Sequence, residues 1–301
     1  MIVVIVGPTG VGKTTLSIAL AKALNSEIIS GDSVQVYRGL DIGSAKITET
    51  EKEDIEHHMI DILDPRDDFS VALYQRYVRQ AIEAIEARGK TPIIVGGTGY
   101  YIKSVLHDFD FTKAQRNPNY EKQLTVFDNQ QLHKKLFDLD PASAEAIHPN
   151  NRKRVIQALY RAEKGVKRSA QTKQDTALYD YCIVGLTMPK DDLYQRIDER
   201  VERMFHEGLV YEVKRLYDQG IRSQAVQAIG YKELYKYFDN EITLAQAKET
   251  IKRNSRRFAK RQYTYFKHQF KTQWFTVNTQ DFTQTVNEVI AYVKSKSSQK
   301  N

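Results

Sequence analysis

One glycine-rich stretch near the start of the chain restricts its possible folds more than any other feature. Residues 7–14 read GPTGVGKT and fit the pattern G-x-x-x-x-G-K-[ST]. In that pattern backbone N–H groups and a lysine hold phosphate groups, and the final hydroxyl binds Mg²⁺. The apolar run Ile2–Val6 precedes the pattern, and leucines and alanines at helical spacing follow it. This order of strand, loop and helix predicts an α/β fold.

The loop also supplies the first candidate site residues. The start of a helix offers free backbone donors and partial positive charge, to which Lys13 adds a full charge. The candidate residues for diphosphate or nucleotide binding are Gly7, Pro8, Thr9, Gly10, Val11, Gly12, Lys13 and Thr14. Thr14 is also the candidate ligand of a Mg²⁺ cofactor. Because the loop recognises phosphate groups rather than a nucleoside, kinase, NTPase and transferase functions all stay open at this point.

Two further apolar runs predict strands that end near this loop. The run Glu27–Ser30 leads to Asp32, and the run 92–95 leads to two glycines and Thr98. Residues just past the carboxyl end of a parallel strand line the ligand crevice of an open α/β sheet. Asp32 is therefore a candidate helix cap, Mg²⁺ ligand or catalytic group. The glycines stand where an ordinary P-loop NTPase carries an acidic residue, which weakens the NTPase interpretation.

The chain changes character near residue 112. Residues 113–178 are polar and mostly helical in pattern, with prolines as breakers, and residues 181–188 return to a strand pattern. We therefore predict a P-loop NTPase-like parallel sheet flanked by helices, formed by residues 1–112 and 179–301. Residues 113–178 form a helical insertion domain in this prediction, and basic helices complete the C-terminal part.

Charge is spread unevenly along the chain. Residues 1–112 hold 11 Lys+Arg and 16 Asp+Glu, a net charge of −5, whereas residues 113–301 hold 34 and 22, a net charge of +12. Arg253, Arg257 and Arg261 step by four, and so do Lys252, Arg256 and Lys260, which places two neighbouring basic rows on one helix. Aromatic residues interleave with them, a pattern that suits nucleic-acid backbone and base stacking. The alternative is a solvated helix face above core aromatics.

Several classes of protein are excluded by composition. No apolar run reaches the about 18 residues of a membrane span, and the N-terminal run is too short for a signal peptide. The single cysteine, Cys182, excludes an internal disulfide framework and a cysteine-based zinc site. His57 and His58 do not share one face, so hydrogen bonding or packing is expected of them rather than joint metal binding. We expect a cytoplasmic protein that is not associated with a membrane.

Taken together, these stretches resemble one family, the bacterial tRNA dimethylallyltransferases, also called tRNA isopentenyltransferases. The resemblance spans about residues 2 to 267. It is carried by the segments 7–14, 32–37, 41–46, 57–58, 96–99, 227–231 and 257–262. The phosphate loop is common to many enzymes, whereas the combination is specific to this family.

The resemblance implies transfer of a dimethylallyl group from dimethylallyl diphosphate to the N6 amine of adenosine 37 in tRNA. The loop would hold the diphosphate and Mg²⁺, Asp32 would be the general base, and the partner would be the tRNA anticodon stem-loop. The implied catalytic residues are Asp32, Thr98 and Arg200. The residues expected to bind tRNA, some on the insertion domain and some in the basic row, are Asp32, Ser33, Val34, Gln35, Lys153, Arg154, Val155, Ile156, Gln157, Arg253, Arg257 and Arg261. We expect a monomer.

Three alternatives stay open beside this resemblance. A small-molecule phosphotransferase of the nucleoside-monophosphate kinase type would consume ATP without a prenyl donor. A prenyltransferase acting on free adenine nucleotide would not need the basic, aromatic-rich second half of the chain. An RNA-binding P-loop protein without turnover would keep its activity in cells after Asp32→Ala.

Overall fold

The computed structural model describes residues 1–109, 111, 118–165 and 176–298. Contacts between residues divide the chain into two compact units. The first unit comprises residues 1–106 and 179–301, and the second comprises residues 107–178. The predicted boundary at residue 113 lies outside the described residues.

The first unit is built on a parallel sheet. Among the described residues its six strands are β1 Ile2–Val6, β2 Glu27–Ser30, β3 His57–His58, β4 Pro92–Gly96, β5 Tyr181–Thr187 and β6 Gln273–Thr276. Their order across the sheet is β3-β2-β4-β1-β5-β6, and every neighbouring pair is parallel. Strand β1 is buried along its whole length, which explains its continuous apolar run in place of alternation. The predicted α/β fold is confirmed.

Helices cover the sheet and form the second unit. In chain order they are α1 Lys13–Leu24, α2 Glu49–Lys52, α3 Val71–Ala87, α4 Gly99–Leu106, α5 Pro118–Gln123, α6 Asn129–Leu139, α7 Pro141–Ala146, α8 Arg152–Glu163, α9 Lys190–His206, α10 Leu209–Asp218, α11 Tyr231–Phe238, α12 Leu244–Gln269 and α13 Phe282–Ser298. The Ser70 side chain caps α3 by accepting the Leu73 N–H. No helix among the described residues is long and apolar enough to cross a membrane.

The second unit has a small core of its own. Helices α6 and α8 pack through Leu132, Leu136, Val155 and Leu159, all buried. The Arg152 guanidinium, at the start of α8, donates hydrogen bonds of 2.8 Å to the carbonyls of two earlier residues, Leu124 and Phe127. Burial of the apolar face of α8 leaves its basic face exposed.

Two edge strands, β3 and β6, are not predicted from the sequence. Strand β3 has only two residues, too few to show a period, and it lies inside a segment that reads as a polar connection. Its His58 Nε2 lies 2.7 Å from Glu27 Oε2, so hydrogen bonding is indeed the role of this histidine. Strand β6 pairs with β5 on one side only, and its four residues are partly exposed.

Candidate active site

A cavity of about 750 Å³ opens at the carboxyl ends of β1, β2 and β4 in the first unit. Ligand sites of open α/β sheets lie at this edge. The phosphate loop, residues 32–35 and Thr98 line the cavity together with side chains from α9 and α12. Its lining includes the following predicted site residues: Thr9, Gly10, Gly12, Lys13, Thr14, Asp32, Ser33, Val34, Gln35, Thr98, Arg200 and Arg261.

The phosphate loop has the conformation that its glycines allow. Gly10 and Gly12 have φ angles of 84° and 103°, a region that residues with a Cβ rarely adopt. The Lys13 Nζ donates to the carbonyls of Gly7 at 3.0 Å and Pro8 at 2.9 Å. The pKa of Lys13 is lowered to about 7, chiefly by burial and also by the nearby charge of Arg200, with Asp32 opposing the shift. Because an anion in the loop favours the charged ammonium, binding of a diphosphate would raise this pKa again.

Arg200 points from α9 toward the same loop. Its Nη1 donates to Thr9 Oγ1 at 3.0 Å. Burial lowers the pKa of Arg200, and Asp32 partly offsets that effect. Ion pairs on both sides of Arg200 tie α9 to α12. Asp198 pairs with Arg256 at 2.5 Å, and Glu202 pairs with Lys252 at 2.6 Å and with Lys248 at 2.8 Å. These pairs hold α9 in place while the guanidinium of Arg200 faces the cavity.

Asp32 is held by the backbone of its own turn. Its Oδ1 accepts the N–H of Val34 at 2.7 Å and that of Gln35 at 3.4 Å. Among the described residues, no hydrogen-bond donor reaches the other carboxylate oxygen, Oδ2. The carboxylate is therefore oriented by one oxygen and has the second available to accept a proton from a ligand in the cavity.

Thr98 stands where β4 passes into α4. Its N–H donates to the Gly31 carbonyl at 3.2 Å, and its own carbonyl accepts the N–H of Tyr101 and Ile102. Gly96 allows the two strand ends to approach closely, since a Cβ there would lie 2.2 Å from the Gly31 carbonyl oxygen. The glycine-ended strand thus brings Thr98 beside the Asp32 turn.

The two basic rows of α12 differ in their surroundings. Arg253, Arg257 and Arg261 are exposed. In the other row, Lys252 and Arg256 are partly buried and paired with acids of α9. The sequence pattern alone treats the rows as equivalent, because it does not show that α9 brings its acids against one of them. The row of Arg253, Arg257 and Arg261 is exposed along its length, and Lys260 at the end of the other row is exposed as well, so these four charges are available to a polyanion.

The candidate residues of segment 153–157 lie on α8 in the second unit. Lys153, Arg154 and Gln157 are exposed. Val155 is fully buried and Ile156 nearly so, within the small core of that unit. The side chains of these two residues therefore stabilise the helix, and its exposed face is formed by the polar members of the segment.

Other residues that shape the cavity were not chosen as site residues from the sequence. Glu212 is 8% exposed and accepts the N–H groups of residues 41–43 at 2.7–3.0 Å, as well as the hydroxyl of Tyr231 at 2.6 Å. It thereby joins the backbone of residues 41–43 to Tyr231, the residue that follows the 227–230 turn. Residues 43–45 and 227–230 line the cavity. A single acidic residue on an amphipathic helix gives no signal of this role. Gln262, which also lines the cavity, stands in one of the segments that carry the family resemblance.

The donor set suits a Mg²⁺ ion held mainly by a ligand. Thr14 lines the cavity beside Lys13. Among the described residues no group of three or more His, Cys, Asp or Glu could hold a metal by itself. Mg²⁺ commonly keeps several waters and binds through substrate phosphates with one or two protein ligands, so the Thr14 hydroxyl in a phosphate loop fits that chemistry.

Comparisons with known proteins agree with this architecture. The family described as IPP transferase matches residues 35–269. A tRNA dimethylallyltransferase of Bacillus subtilis is 52% identical over 282 residues, covering 91% of this chain and 90% of that protein. One from Anoxybacillus flavithermus is 50% identical over 300 residues, covering 98% and 96%.

Solved structures match over almost the whole chain. The full-length tRNA isopentenylpyrophosphate transferase from Bacillus halodurans has a TM-score of 0.78 and 46% identity, with 99% of this chain and 97% of that one covered. A eukaryotic dimethylallyltransferase acting on tRNA has a TM-score of 0.83 and 29% identity, with 99% and 79% covered.

Proposed function

Because this chain belongs to the IPP transferase family, we infer that it transfers a dimethylallyl group from dimethylallyl diphosphate to the N6 amine of adenosine 37 in tRNA. The products are N6-isopentenyladenosine and diphosphate. One observation supports this function most strongly: a phosphate loop and an oriented carboxylate, Asp32, line the same cavity. The loop suits the leaving group, and the carboxylate suits the proton of the attacking amine.

Departure of the diphosphate leaves an allylic carbon with strong cationic character. The bond from that carbon to the diphosphate oxygen breaks as the adenine nitrogen attacks. Negative charge then grows on the diphosphate, and Lys13, Arg200 and the backbone N–H groups of the loop stabilise it. Mg²⁺ on Thr14 would supply further neutralisation of that charge when bound. Fixed cationic groups in a cavity are effective here because they need little reorganisation during the reaction.

The proton of the amine leaves as the new C–N bond forms. An adenine amine is a weak base, but it becomes acidic once it attacks the carbon. The Asp32 Oδ2 accepts this proton, and Oδ1 stays held by the turn. A general base of this kind contributes about 10²- to 10⁴-fold to the rate.

The macromolecular substrate explains the exposed basic row. Arg253, Arg257 and Arg261 offer three charges to the tRNA backbone, and α8 offers Lys153 and Arg154. An adenine must leave its stack to reach a cavity beside a sheet, and an anticodon loop is already single-stranded. We propose that the enzyme acts as a monomer in the cytoplasm.

A transfer assay with three acceptors tests this proposal. The protein is incubated with labelled dimethylallyl diphosphate, Mg²⁺ and unmodified tRNA, with AMP as a second acceptor and ATP alone as a third condition. We expect label in tRNA and its loss in Lys13→Met. Label in AMP alone would assign the free-nucleotide prenyltransferase, and ATP consumption without label would assign a kinase.

A further inference from the structure

Gln262 joins two loops of the cavity that are distant in sequence. It lies on α12 and is 6% exposed. Its Oε1 accepts the N–H of Thr9 at 2.8 Å, and its Nε2 donates to the carbonyl of Gly97 at 3.2 Å. A buried amide that is hydrogen-bonded through both its oxygen and its nitrogen constrains both partners, because breaking either bond leaves a buried polar group unpaired.

Each of these partners is one end of a peptide unit whose other end is also bonded. In the peptide between Pro8 and Thr9, the Pro8 carbonyl accepts from Lys13 Nζ at 2.9 Å. In the peptide between Gly97 and Thr98, the Thr98 N–H donates to the Gly31 carbonyl at 3.2 Å. These two planar units transmit the orientation of the Gln262 amide to the groups beyond them.

These hydrogen bonds form one continuous series of donors and acceptors. It begins at the ammonium of Lys13 and ends at the carbonyl of Gly31, in the peptide that leads into Asp32. In every one of these hydrogen bonds the donor lies on the Lys13 side and the acceptor on the Gly31 side. Successive amides polarise one another in such an arrangement. Gln262 contributes the side-chain amide of this hydrogen-bond series and links its two backbone halves.

Gly97 shows how closely Gln262 approaches. A Cβ on Gly97 would lie 1.9 Å from Gln262 Nε2, well inside contact distance. Any side chain at residue 97 would therefore push the amide away from both loops. The hydrogen bonds of Gln262 therefore require glycine at residue 97.

We propose that Gln262 is a positioning residue for prenyl transfer, which fixes the position of the phosphate loop relative to the Asp32 turn. The inference rests on the proposed function, because it assigns Lys13 to the leaving group and Asp32 to the attacking amine. A rotated Pro8–Thr9 peptide would shift the ammonium away from the diphosphate. Misplacement by about 1 Å can lower a rate about 100-fold.

Three variants and one control test the proposal. Gln262→Leu removes both bonds at similar volume, and Gly97→Ala displaces the amide. Gln262→Glu keeps the acceptor for Thr9 but donates to Gly97 only when protonated. Gln269→Leu is the matched control, since it makes the same change at an exposed position of α12. Thermal unfolding gives the folded fraction, and each rate is expressed per folded molecule.

We expect Gln262→Leu and Gly97→Ala to lower single-turnover transfer to tRNA by about 10- to 100-fold and to weaken binding of Mg²⁺–pyrophosphate, with tRNA affinity unchanged. Gln269→Leu should match wild type. The rate of Gln262→Glu relative to wild type should rise as the pH falls from about 8 to about 6, because burial and the facing carbonyl favour the protonated carboxyl. The rate of Gln262→Leu relative to wild type should not change over the same pH range.

Wild-type turnover and pyrophosphate affinity in folded Gln262→Leu would overturn the proposal, and so would a Gln262→Glu ratio that does not depend on pH. Pyrophosphate binding tests Gln262 independently of transfer. If wild type binds pyrophosphate but modifies no tRNA, the proposed function fails, and the loss of pyrophosphate binding in the variants would still support the role of Gln262 in the loop.

Discussion

Neutralising the exposed basic row should reduce the salt dependence of tRNA binding in a predictable way. The triple variant Arg253→Gln, Arg257→Gln, Arg261→Gln removes three exposed charges from α12. Each lost phosphate contact lowers the slope of log affinity against log salt by about 0.7 for single strands and about 0.9 for duplex. The slope should therefore become less steep by about 2 to about 2.7 units. Between about 50 and about 200 mM salt, wild type should lose about 20- to 40-fold more affinity than the variant.

Fluorescence anisotropy with a labelled anticodon stem-loop measures this slope across a KCl series. The control is Lys214→Gln, Lys236→Gln, Lys294→Gln, which removes the same net charge from three exposed positions on α10, α11 and α13. Its slope should remain close to that of wild type. If the variant that lacks the three arginines keeps the wild-type slope, this row faces solvent in the complex. Exposure of these arginines would then not imply contact with tRNA.

Three further predictions concern the cavity. Asp32→Asn should lower single-turnover transfer by about 10²- to 10⁴-fold while tRNA affinity stays within a few fold. The pKa of Lys13 is about 7, so above that pH a diphosphate must restore a proton to this lysine in order to bind. Pyrophosphate affinity should therefore fall by up to about tenfold per pH unit above pH about 7. Calorimetry in buffers of different ionisation enthalpy should detect the proton uptake. Glu212→Gln should lower the free energy of unfolding in urea by about 1–3 kcal/mol, because it weakens a buried acceptor of four hydrogen bonds.

Each of these has its own control. Full turnover in Asp32→Asn would remove this residue as the base. Lys13→Arg keeps a charge that does not titrate near neutrality, so it should bind pyrophosphate without the proton uptake of Lys13. An equal uptake in both proteins would place the titrating group elsewhere. For Glu212→Gln, the comparison is Glu241→Gln at an exposed position, and equal losses of stability would contradict a special role for the buried carboxylate.

The elements with a long or distinctive pattern could be predicted from the sequence. The phosphate loop requires a strand before it and a helix after it, and β1 and α1 are found there. The apolar runs that become β4 and β5 are similarly long and buried. The two-residue β3 and the edge strand β6 could not be predicted because neither has enough residues or burial to create a period.

Pairing between distant side chains sets the remaining limit on prediction. The spacing of four within each basic row correctly places both rows, one with Arg253 and one with Arg256, on a single helix. Only the structure shows that Asp198 pairs with Arg256. Glu212 and Gln262 likewise act through backbone groups of segments far away in sequence. No local pattern of residues reports such contacts, because they depend on how α9, α10 and α12 pack on the sheet.

The proposed function depends on a single amine of the substrate, which can be removed. An anticodon stem-loop is prepared with adenosine at the position 3′ of the anticodon, and a second one carries purine riboside there, which lacks only the exocyclic amine. Both are incubated with the protein, labelled dimethylallyl diphosphate and Mg²⁺. We expect label in the adenosine stem-loop, recovered as N6-isopentenyladenosine, and none in the purine riboside stem-loop although both bind. Equal labelling of the two, or no labelling of either, would contradict the proposed function.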